Sequence, residues 1–120
     1  MSEADPSKTI IHKQREIPRD KNGYLLNPLD WSQEVAELIA QEEGLTITEK
    51  HMDIIVHLRD RFFNFNENQP NTRSILKAMQ EQWGDKKLSS KDLYDLFPQD
   101  PSKQGGRFAG LPESRRKGGY

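Results

Sequence analysis

Apolar residues recur at the spacing of an α-helix in three successive stretches of this 120-residue chain, and glycine or proline separates the stretches. Gly44 and Gly84 are predicted to end the first and third helices, because glycine readily adopts the left-handed conformation that follows a helix. The second helix is predicted to begin near Thr46 or Thr48 and to end near Asn64. The apolar stripes are Trp31, Val35, Leu38 and Ile39; Met52, Ile55, Val56, Phe62 and Phe63; and Ile75, Leu76, Met79 and Trp83.

The starts of the other helices carry capping signals of different strength. The first helix has two candidate starts, at Asn27-Pro28 or at Asp30, and the third is expected to begin near Pro70. A short fourth helix is predicted after Ser89, whose hydroxyl is a good N-cap. This fourth helix is expected to end at Phe97-Pro98.

The residues before the helices predict a β-hairpin. Residues 1–8 are polar and are expected to be frayed. The stretch from Thr9 to Ile17 is β-branched and partly alternating, the stretch from Asp20 to Gly23 is a turn signal, and Tyr24 to Leu26 is predicted to return as a strand. Because an isolated hairpin is marginally stable, it is expected to pack against the helices. The predicted fold is therefore α+β, with a small hairpin or meander on four to five helices.

The last 23 residues differ in composition from the rest of the chain. Pro98 to Tyr120 contains three prolines and five glycines and few apolar residues. This composition predicts a flexible, extended arm with one anchor, the stretch from Phe108 to Pro112. The chain is thereby divided into a disordered terminus at 1–8, a domain at 9–97 and an arm at 98–120.

The charge pattern leaves one candidate anion-binding region. The formal net charge is −1, so the whole chain is not a basic nucleic-acid binder. Residues 70–120, however, hold ten basic and six acidic side chains. The second and third helices could imitate a helix-turn-helix, although a solvated surface is the preferred explanation of these charges. The candidate nucleic-acid contacts are Arg73, Lys77, Lys86, Lys87 and Lys91.

The chain has no cysteine, and this excludes several kinds of chemistry. Disulfides, thiolate metal sites, cysteine nucleophiles and persulfide carriers all need a thiol. His12, His51 and His57 lack the spacing of a helical metal site. Asp53 and His57 could hydrogen-bond one turn apart, but no nucleophile stands beside them. The chain is therefore predicted not to be an enzyme, and no metal or cofactor is expected.

Several short stretches, in a fixed order, resemble one protein family. They are Gly23-Tyr24-Leu25, Asp30-Trp31, Val35-Ala36, Leu45-Thr46-Ile47-Thr48 followed by His51, Leu58-Arg59, Pro70 to Arg73, Leu96-Phe97-Pro98 and Ala109-Gly110-Leu111-Pro112. Over roughly residues 9–112 the chain resembles the DsrC/TusE family, the gamma subunit of dissimilatory sulfite reductase and its tRNA-thiolation relatives. The resemblance implies a small β meander on an array of helices that ends in a flexible arm.

The resemblance also implies a chemistry that this sequence cannot perform unchanged. Family members carry sulfur on two arm cysteines, one three residues before the Ala-Gly-Leu-Pro motif and one penultimate. These positions are Gly106 and Gly119 here. The stretch from Glu113 to Lys117 also departs from the family's short, proline-containing ending.

We therefore expect a non-catalytic relative that docks on a sulfite reductase or a sulfur-relay protein and regulates it or competes for it. The alternative is a sulfur-responsive DNA-binding regulator. No membrane partner is expected, because no apolar run spans a bilayer and no signal-peptide core follows Met1, so the protein is expected to be cytoplasmic. The docking residues would be Phe108, Ala109, Gly110, Leu111, Pro112, Arg115, Arg116, Lys117 and Tyr120.

Overall fold

The computed structural model describes residues 3–113 and begins with a hairpin whose turn differs from the predicted one. Strands β1 (Ile10–His12) and β2 (Arg15–Ile17) are antiparallel, with Ile10 opposite Ile17. The hairpin therefore turns inside the stretch from Thr9 to Ile17 and not at the predicted turn from Asp20 to Gly23. The chain reverses at Lys13 and Gln14, which both adopt a positive φ (51° and 66°). Neither residue type signals such a turn, because the left-handed region favours glycine and asparagine.

The turn predicted at Asp20–Gly23 is also present. Gly23 has a φ of +87°, and its backbone N–H donates to the Asp20 carbonyl oxygen over 2.9 Å. The predicted returning strand is reduced to one isolated bridge between Arg19 and Leu25. The hairpin and this second turn together form the β part of the fold.

Four helices follow in the predicted order. They are α1 (Gln33–Glu42), α2 (Glu49–Asn64), α3 (Thr72–Gln82) and α4 (Ser90–Leu96). Thr48 and Ser89 cap α2 and α4 through capping boxes, and Gly44 and Gly84 have the positive φ expected after α1 and α3. The start of α1 differs from both candidates, because Asn27 caps a separate 3₁₀ turn (Pro28–Asp30) and Ser32 caps α1 itself.

A fifth helix, α5 (Pro101–Phe108), replaces the first half of the predicted arm. The Asp100 carboxylate caps it by accepting from the backbone N–H groups of Ser102 and Lys103, and Pro101 occupies its first turn. The helix packs against α1, α2, α3 and α4 and thus lies at the centre of the helical array. The expectation of an extended arm is therefore wrong for residues 101–108, because burial outweighs the low helix propensity of Gly105 and Gly106.

The core surrounds α5. Phe108 and Leu111 have 0% and 1% of their surface exposed, and the Phe108 ring meets the Phe97 ring edge-on with centroids 5.5 Å apart. Other fully buried side chains come from the hairpin region and from the first four helices: Ile17, Leu25, Ile39, Ile54, Ile55, Leu58, Ile75, Met79 and Leu93. The α+β class and the packing of the hairpin region against helices are as predicted.

His51 is a buried polar member of this core. Its Nδ1 accepts from the Thr48 backbone N–H over 3.0 Å, and its Nε2 lies 2.8 Å from the Leu96 carbonyl oxygen. These partners suit a neutral ring with the proton on Nε2. Burial lowers the pKa of His51 below its ordinary value, against a smaller opposing contribution from the Leu96 carbonyl.

We expect the stability of the protein to fall as the pH falls below about 6.5, the ordinary histidine pKa. In this range the unfolded state takes up a proton at His51 more readily than the folded state does. The stabilisation that depends on a neutral His51 is therefore complete above pH 6.5 and is lost as the pH falls from there through the lowered folded pKa. Urea unfolding at pH 7.5 and pH 5.5 measures the loss. His51→Asn is expected to lose less stability between the two pH values than the unchanged chain. An equal loss in both proteins would show that His51 does not contribute.

Candidate functional site

The site begins with two side chains that hold the end of α5. The indole Nε1–H of Trp31 donates to the Phe108 carbonyl oxygen over 2.8 Å, and Nη1 of Arg59 donates to the Ala109 carbonyl oxygen over 2.7 Å. The last carbonyls of a helix have no partner within the helix. Trp31 and Arg59 satisfy two such groups and thereby fix where the helix ends.

Trp31 and Arg59 also contact each other. The guanidinium carbon of Arg59 lies 4.2 Å from the centroid of the Trp31 ring and 4.9 Å from that of Phe63. Burial lowers the pKa of Arg59 from its ordinary value, but an arginine remains charged at neutral pH. The charge faces carbonyl oxygens and aromatic faces, both of which attract a cation.

Gly110 follows the helix and lies directly against Trp31. Its φ is +71°, and a Cβ atom at this position would lie 2.5–2.7 Å from three carbon atoms of the Trp31 side chain. Both its conformation and its surroundings therefore require glycine. The Ala-Gly-Leu-Pro motif thus has a structural role on the domain, since it seats the chain after α5 against Trp31 and Arg59.

Gly105 and Gly106 have different surroundings although they are adjacent. A Cβ on Gly105 would lie 3.0 Å from Cδ1 of Leu58, so this glycine allows α5 to approach α2 closely. A Cβ on Gly106 would meet no atom within 4 Å. Gly106 lines a small cavity of about 10 Å³ together with Tyr24, Ser102 and other residues. The position at which the family resemblance places a cysteine therefore has room for a Cβ atom.

Alanine is expected to change the free energy of unfolding in opposite directions at these two glycines. We expect Gly106→Ala to raise the free energy of unfolding by about 0.5–1 kcal/mol, because alanine is the better helix former and the new methyl group meets nothing. Gly105→Ala is expected to lower it by about 1 kcal/mol, because the methyl group is forced against the buried Leu58. Urea unfolding of the two variants measures both. A loss in Gly106→Ala as large as that in Gly105→Ala would contradict the open space at Gly106.

A polar network holds the other side of α5. The Arg107 guanidinium pairs with the Glu43 carboxylate at 2.8 Å and donates to the Gln99 side chain, and Gln104 also donates to Glu43. Tyr24 lies beside Arg107, and its hydroxyl donates to the Lys103 carbonyl oxygen over 3.3 Å. Burial raises the pKa of Tyr24, opposed by the charge of Arg107.

The last described residues lie beside the second turn. Nε2 of Gln69 donates to the Pro112 carbonyl oxygen over 2.8 Å, and Nδ2 of Asn22 donates to the Glu113 carboxylate over 2.9 Å. These two contacts place residues 112 and 113 between the Asp20–Gly23 turn and the segment that links α2 to α3. The described residues do not include four of the predicted docking residues, which are Arg115, Arg116, Lys117 and Tyr120. They do not include Gly119, the second family cysteine position, either.

The other predicted docking residues face the domain. Phe108, Ala109, Gly110 and Leu111 are buried, and only Pro112 of this stretch is half-exposed. The four buried residues anchor the chain to the helices, so a partner cannot reach their side chains in this conformation. The predicted docking role stays a prediction for the residues that follow.

The five candidate nucleic-acid contacts are all exposed and occupy separate places. Arg73 and Lys77 lie on α3, Lys86 and Lys87 lie in the loop after it, and Lys91 lies on α4, where it pairs with Asp95 at 3.3 Å. The DNA-binding alternative stays a prediction, and neither this arrangement nor the similar proteins support it.

The histidines serve different local roles. His12 lies 2.8 Å from Glu34, His51 belongs to the core, and His57 lines a cavity between α2 and α3. The predicted contact between Asp53 and His57 is replaced by one from the Trp83 indole N–H to Asp53 at 2.8 Å. Within residues 3–113, no three His, Cys, Asp or Glu side chains are grouped so that they could hold a metal ion. No helix in the same range is long and apolar enough to cross a membrane.

The described residues form a small α+β protein, in which a hairpin packs on an array of helices and Trp31 and Arg59 bond to the end of the buried helix α5. A family model described as DsrC like protein matches residues 11–116. The chain belongs to this DsrC-like family.

Similar proteins cover most of the chain. This chain is 41% identical over 99 residues to a protein named sulfurtransferase TusE from Yersinia pestis. The aligned region covers 82% of this chain and 90% of the relative. This chain is 38% identical over 104 residues to sulfurtransferase TusE from Escherichia coli K12, which covers 87% of this chain and 94% of the relative. The resemblance to the DsrC/TusE family is thereby confirmed.

Solved structures agree with this assignment. The NMR structure of DsrC from Allochromatium vinosum matches with a TM-score of 0.84 and 39% identity, over 95% of this chain and 98% of that one. The crystal structure of the oxidized gamma-subunit of dissimilatory sulfite reductase from Archaeoglobus fulgidus matches with a TM-score of 0.79 and 31% identity, over 90% and 97% of the two chains.

The contacts from Trp31 and Arg59 to the end of α5 were not predicted from the sequence. Both residues occur in stretches that carry the family resemblance, Asp30-Trp31 and Leu58-Arg59. The signal was therefore present, but their hydrogen bonds span 77 and 50 residues of the chain. Local spacing contains no information about contacts over such a separation.

Proposed function

We propose that this protein binds the partner of a cysteine-bearing DsrC/TusE relative without carrying sulfur itself, and so regulates or competes with that relative. The observation that carries the proposal is Gly106. It occupies the position at which the resemblance places the first sulfur-carrying cysteine, on a scaffold whose α5 and Ala-Gly-Leu-Pro motif are intact. The sulfur-carrying group is missing while the structure that would present it is kept.

The chemistry around Gly106 supports a role without sulfur transfer. A cysteine gains a persulfide when its thiolate attacks the outer sulfur of a donor persulfide: a new S–S bond forms, the donor's S–S bond breaks and the donor thiolate leaves. None of the 120 residues has a thiol that could attack in this way. The hydroxyls near Gly106 are already hydrogen-bonded: Ser102 donates to the Pro70 carbonyl oxygen over 2.8 Å, and Tyr24 donates to that of Lys103. Among residues 3–113, no group beside Gly106 takes the place of the cysteine, and we propose that the protein does not act as a sulfurtransferase.

The names of the similar proteins narrow the class of partner. Relatives are named sulfurtransferase TusE, and one similar structure is named the gamma-subunit of dissimilatory sulfite reductase. The partner we propose is accordingly a sulfite reductase or a sulfur-relay protein. Its binding would use the outer surface of the domain and the basic residues after Glu113, since residues 108–111 are buried.

A binding measurement tests the proposal. The labelled full-length chain is titrated with the purified sulfur-relay complex that binds a cysteine-bearing TusE relative. The matched control is that relative with glycine at both cysteine positions. We expect saturable binding with a dissociation constant within about tenfold of the control's, because the two proteins share a fold. If the complex saturates the control but not this chain, the proposal is wrong.

A further inference from the structure

A polar cavity separates α2 from α3 on the outer side of the domain. Its volume is about 360 Å³. His57 and Arg61, one turn apart on α2, form one wall, and Asn71 and Ser74 of α3 form the other. Asn68, from the segment between the helices, closes one end. The described residues that line the cavity include no carboxylate.

Arg61 lacks the carboxylate partner that Arg15, Arg19 and Arg107 have. Arg19 and Arg107 each pair with a glutamate at 2.8–2.9 Å. Among residues 3–113, Arg61 forms no ion pair; its Nε donates to Asn68 Oδ1 over 3.4 Å, and its guanidinium lies 4.0 Å from the Phe65 ring centroid. A guanidinium has five N–H donors, so most of its donors remain available to an anion.

His57 provides a second donor on the same wall. It is half-buried and makes no hydrogen bond with the described part of the chain. Burial lowers its pKa, the charge of Arg61 lowers it further, and Asp60 opposes them. The α3 residues that line the cavity are uncharged. An anion beside Arg61 would offset that charge and favour protonation of His57.

The opposite wall adds a partial positive charge. The cavity reaches Asn71, which is the N-cap of the 11-residue helix α3. The Ser74 backbone N–H donates to the Asn71 side-chain oxygen over 2.8 Å, so the start of α3 contributes the positive end of its helix dipole rather than a free donor at Ser74. The Ser74 hydroxyl and the Asn68 side-chain amide supply neutral donors.

We propose that this cavity binds a compact tetrahedral oxyanion with two negative charges, held by Arg61 and His57. The recessed position of His57 between two helices suits a free anion better than the backbone of a polymer. The proposal goes beyond the proposed function and does not depend on it, because the isolated chain would bind the anion without any partner. Phosphate, sulfate and thiosulfate share the required chemistry and are separate arms of the test.

An NMR titration of the full chain at constant ionic strength tests the site. Sodium sulfate replaces sodium chloride, because sulfate keeps its double charge across the pH range in which histidine titrates. We expect saturable shifts of the His57 ring and of the backbone amides at residues 71–74, and a higher His57 pKa in sulfate than in chloride. Phosphate and thiosulfate, titrated in the same way, show which oxyanion binds most tightly.

Two arginine variants make the test specific. Arg61→Gln is expected to weaken sulfate binding about tenfold or more, since charge-assisted hydrogen bonds are lost. Arg73→Gln, which changes an exposed arginine on α3 that does not line the cavity, is expected to alter binding less than twofold. The His57→Asn variant is expected to bind sulfate without the pH dependence. Thermal unfolding of each variant verifies that it is folded.

Several outcomes would overturn the proposal. Shifts in sulfate that do not saturate, or equal shifts in chloride, would mean that no specific site exists. Equal losses in Arg61→Gln and Arg73→Gln would mean that the attraction is diffuse. Tighter binding of a single-stranded oligonucleotide than of any free oxyanion, with a steep salt dependence, would assign the cavity to a nucleic-acid backbone instead.

Discussion

Phe108→Ala is expected to lower the free energy of unfolding by about 3–5 kcal/mol, the cost of removing a buried phenylalanine side chain. Phe108 has none of its surface exposed and packs edge-on against Phe97. The loss is large because α5 contacts all four other helices, so a cavity at its end is shared among them. Urea unfolding at neutral pH measures the change. A large loss would also contradict the predicted flexible arm, because a mobile Phe108 would contribute little to stability.

Phe65→Ala is the matched control for this prediction. The same side chain is removed at the end of α2, where 48% of the residue is exposed. We expect a loss of about 1 kcal/mol or less at this site. If the two variants lost similar amounts of stability, Phe108 would not be part of the core, and α5 would not be the centre of the fold.

Gly110→Ala is expected to lower the free energy of unfolding by about 3 kcal/mol. The backbone conformation at Gly110 costs a non-glycine residue about 1–2 kcal/mol. The new methyl group would also fall within 2.5–2.7 Å of the Trp31 side chain, which adds about 1–3 kcal/mol of crowding. A shifted Trp31 also loses its hydrogen bond to the Phe108 carbonyl oxygen, so a change in tryptophan fluorescence should accompany the loss.

Gly84→Ala separates the cost of the backbone conformation from the cost of crowding against Trp31. Gly84 has a similar positive φ of +62°, but a Cβ there would meet nothing within 4 Å. Only the conformational cost of about 1–2 kcal/mol is expected at this position. Equal losses in the two variants would show that the contact between Gly110 and Trp31 contributes nothing.

The helices could be predicted because their signals are local. Thr48, Ser89, Gly44 and Gly84 mark helix ends through interactions with residues three or four positions away. The hairpin turn at Lys13-Gln14 could not be predicted, since its residue types do not favour a positive φ. There the surrounding structure determines the conformation and the residue types do not.

Helix α5 and its contacts show the limit of local signals more clearly. Gly105 and Gly106 each lower helix propensity, and composition alone therefore favoured an extended arm. The helix forms because it is buried against four others and because distant residues, Trp31 and Arg59, complete its end. The family resemblance located the position of Gly106, and only the structure showed that this position is open while Gly105 is crowded.

The arrangement explains how the sulfur-carrying group can be absent from an intact scaffold. Trp31, Arg59 and Glu43, which help to hold α5, bond to residues 107 to 109 and not to position 106. A residue at this position can therefore change without loss of the fold. Under the proposed function, the surface that a partner recognises would be kept without the sulfur chemistry.

Competition in a sulfur-transfer reaction tests the proposed role most directly. Transfer of sulfur from the relay complex to a cysteine-bearing TusE relative is followed by the mass increase of that relative while this chain is added in increasing amounts. We predict that the transfer rate falls towards zero as this chain saturates the complex, and that this chain gains no sulfur. A transfer rate that is unchanged at a large excess of folded protein would contradict the proposed function.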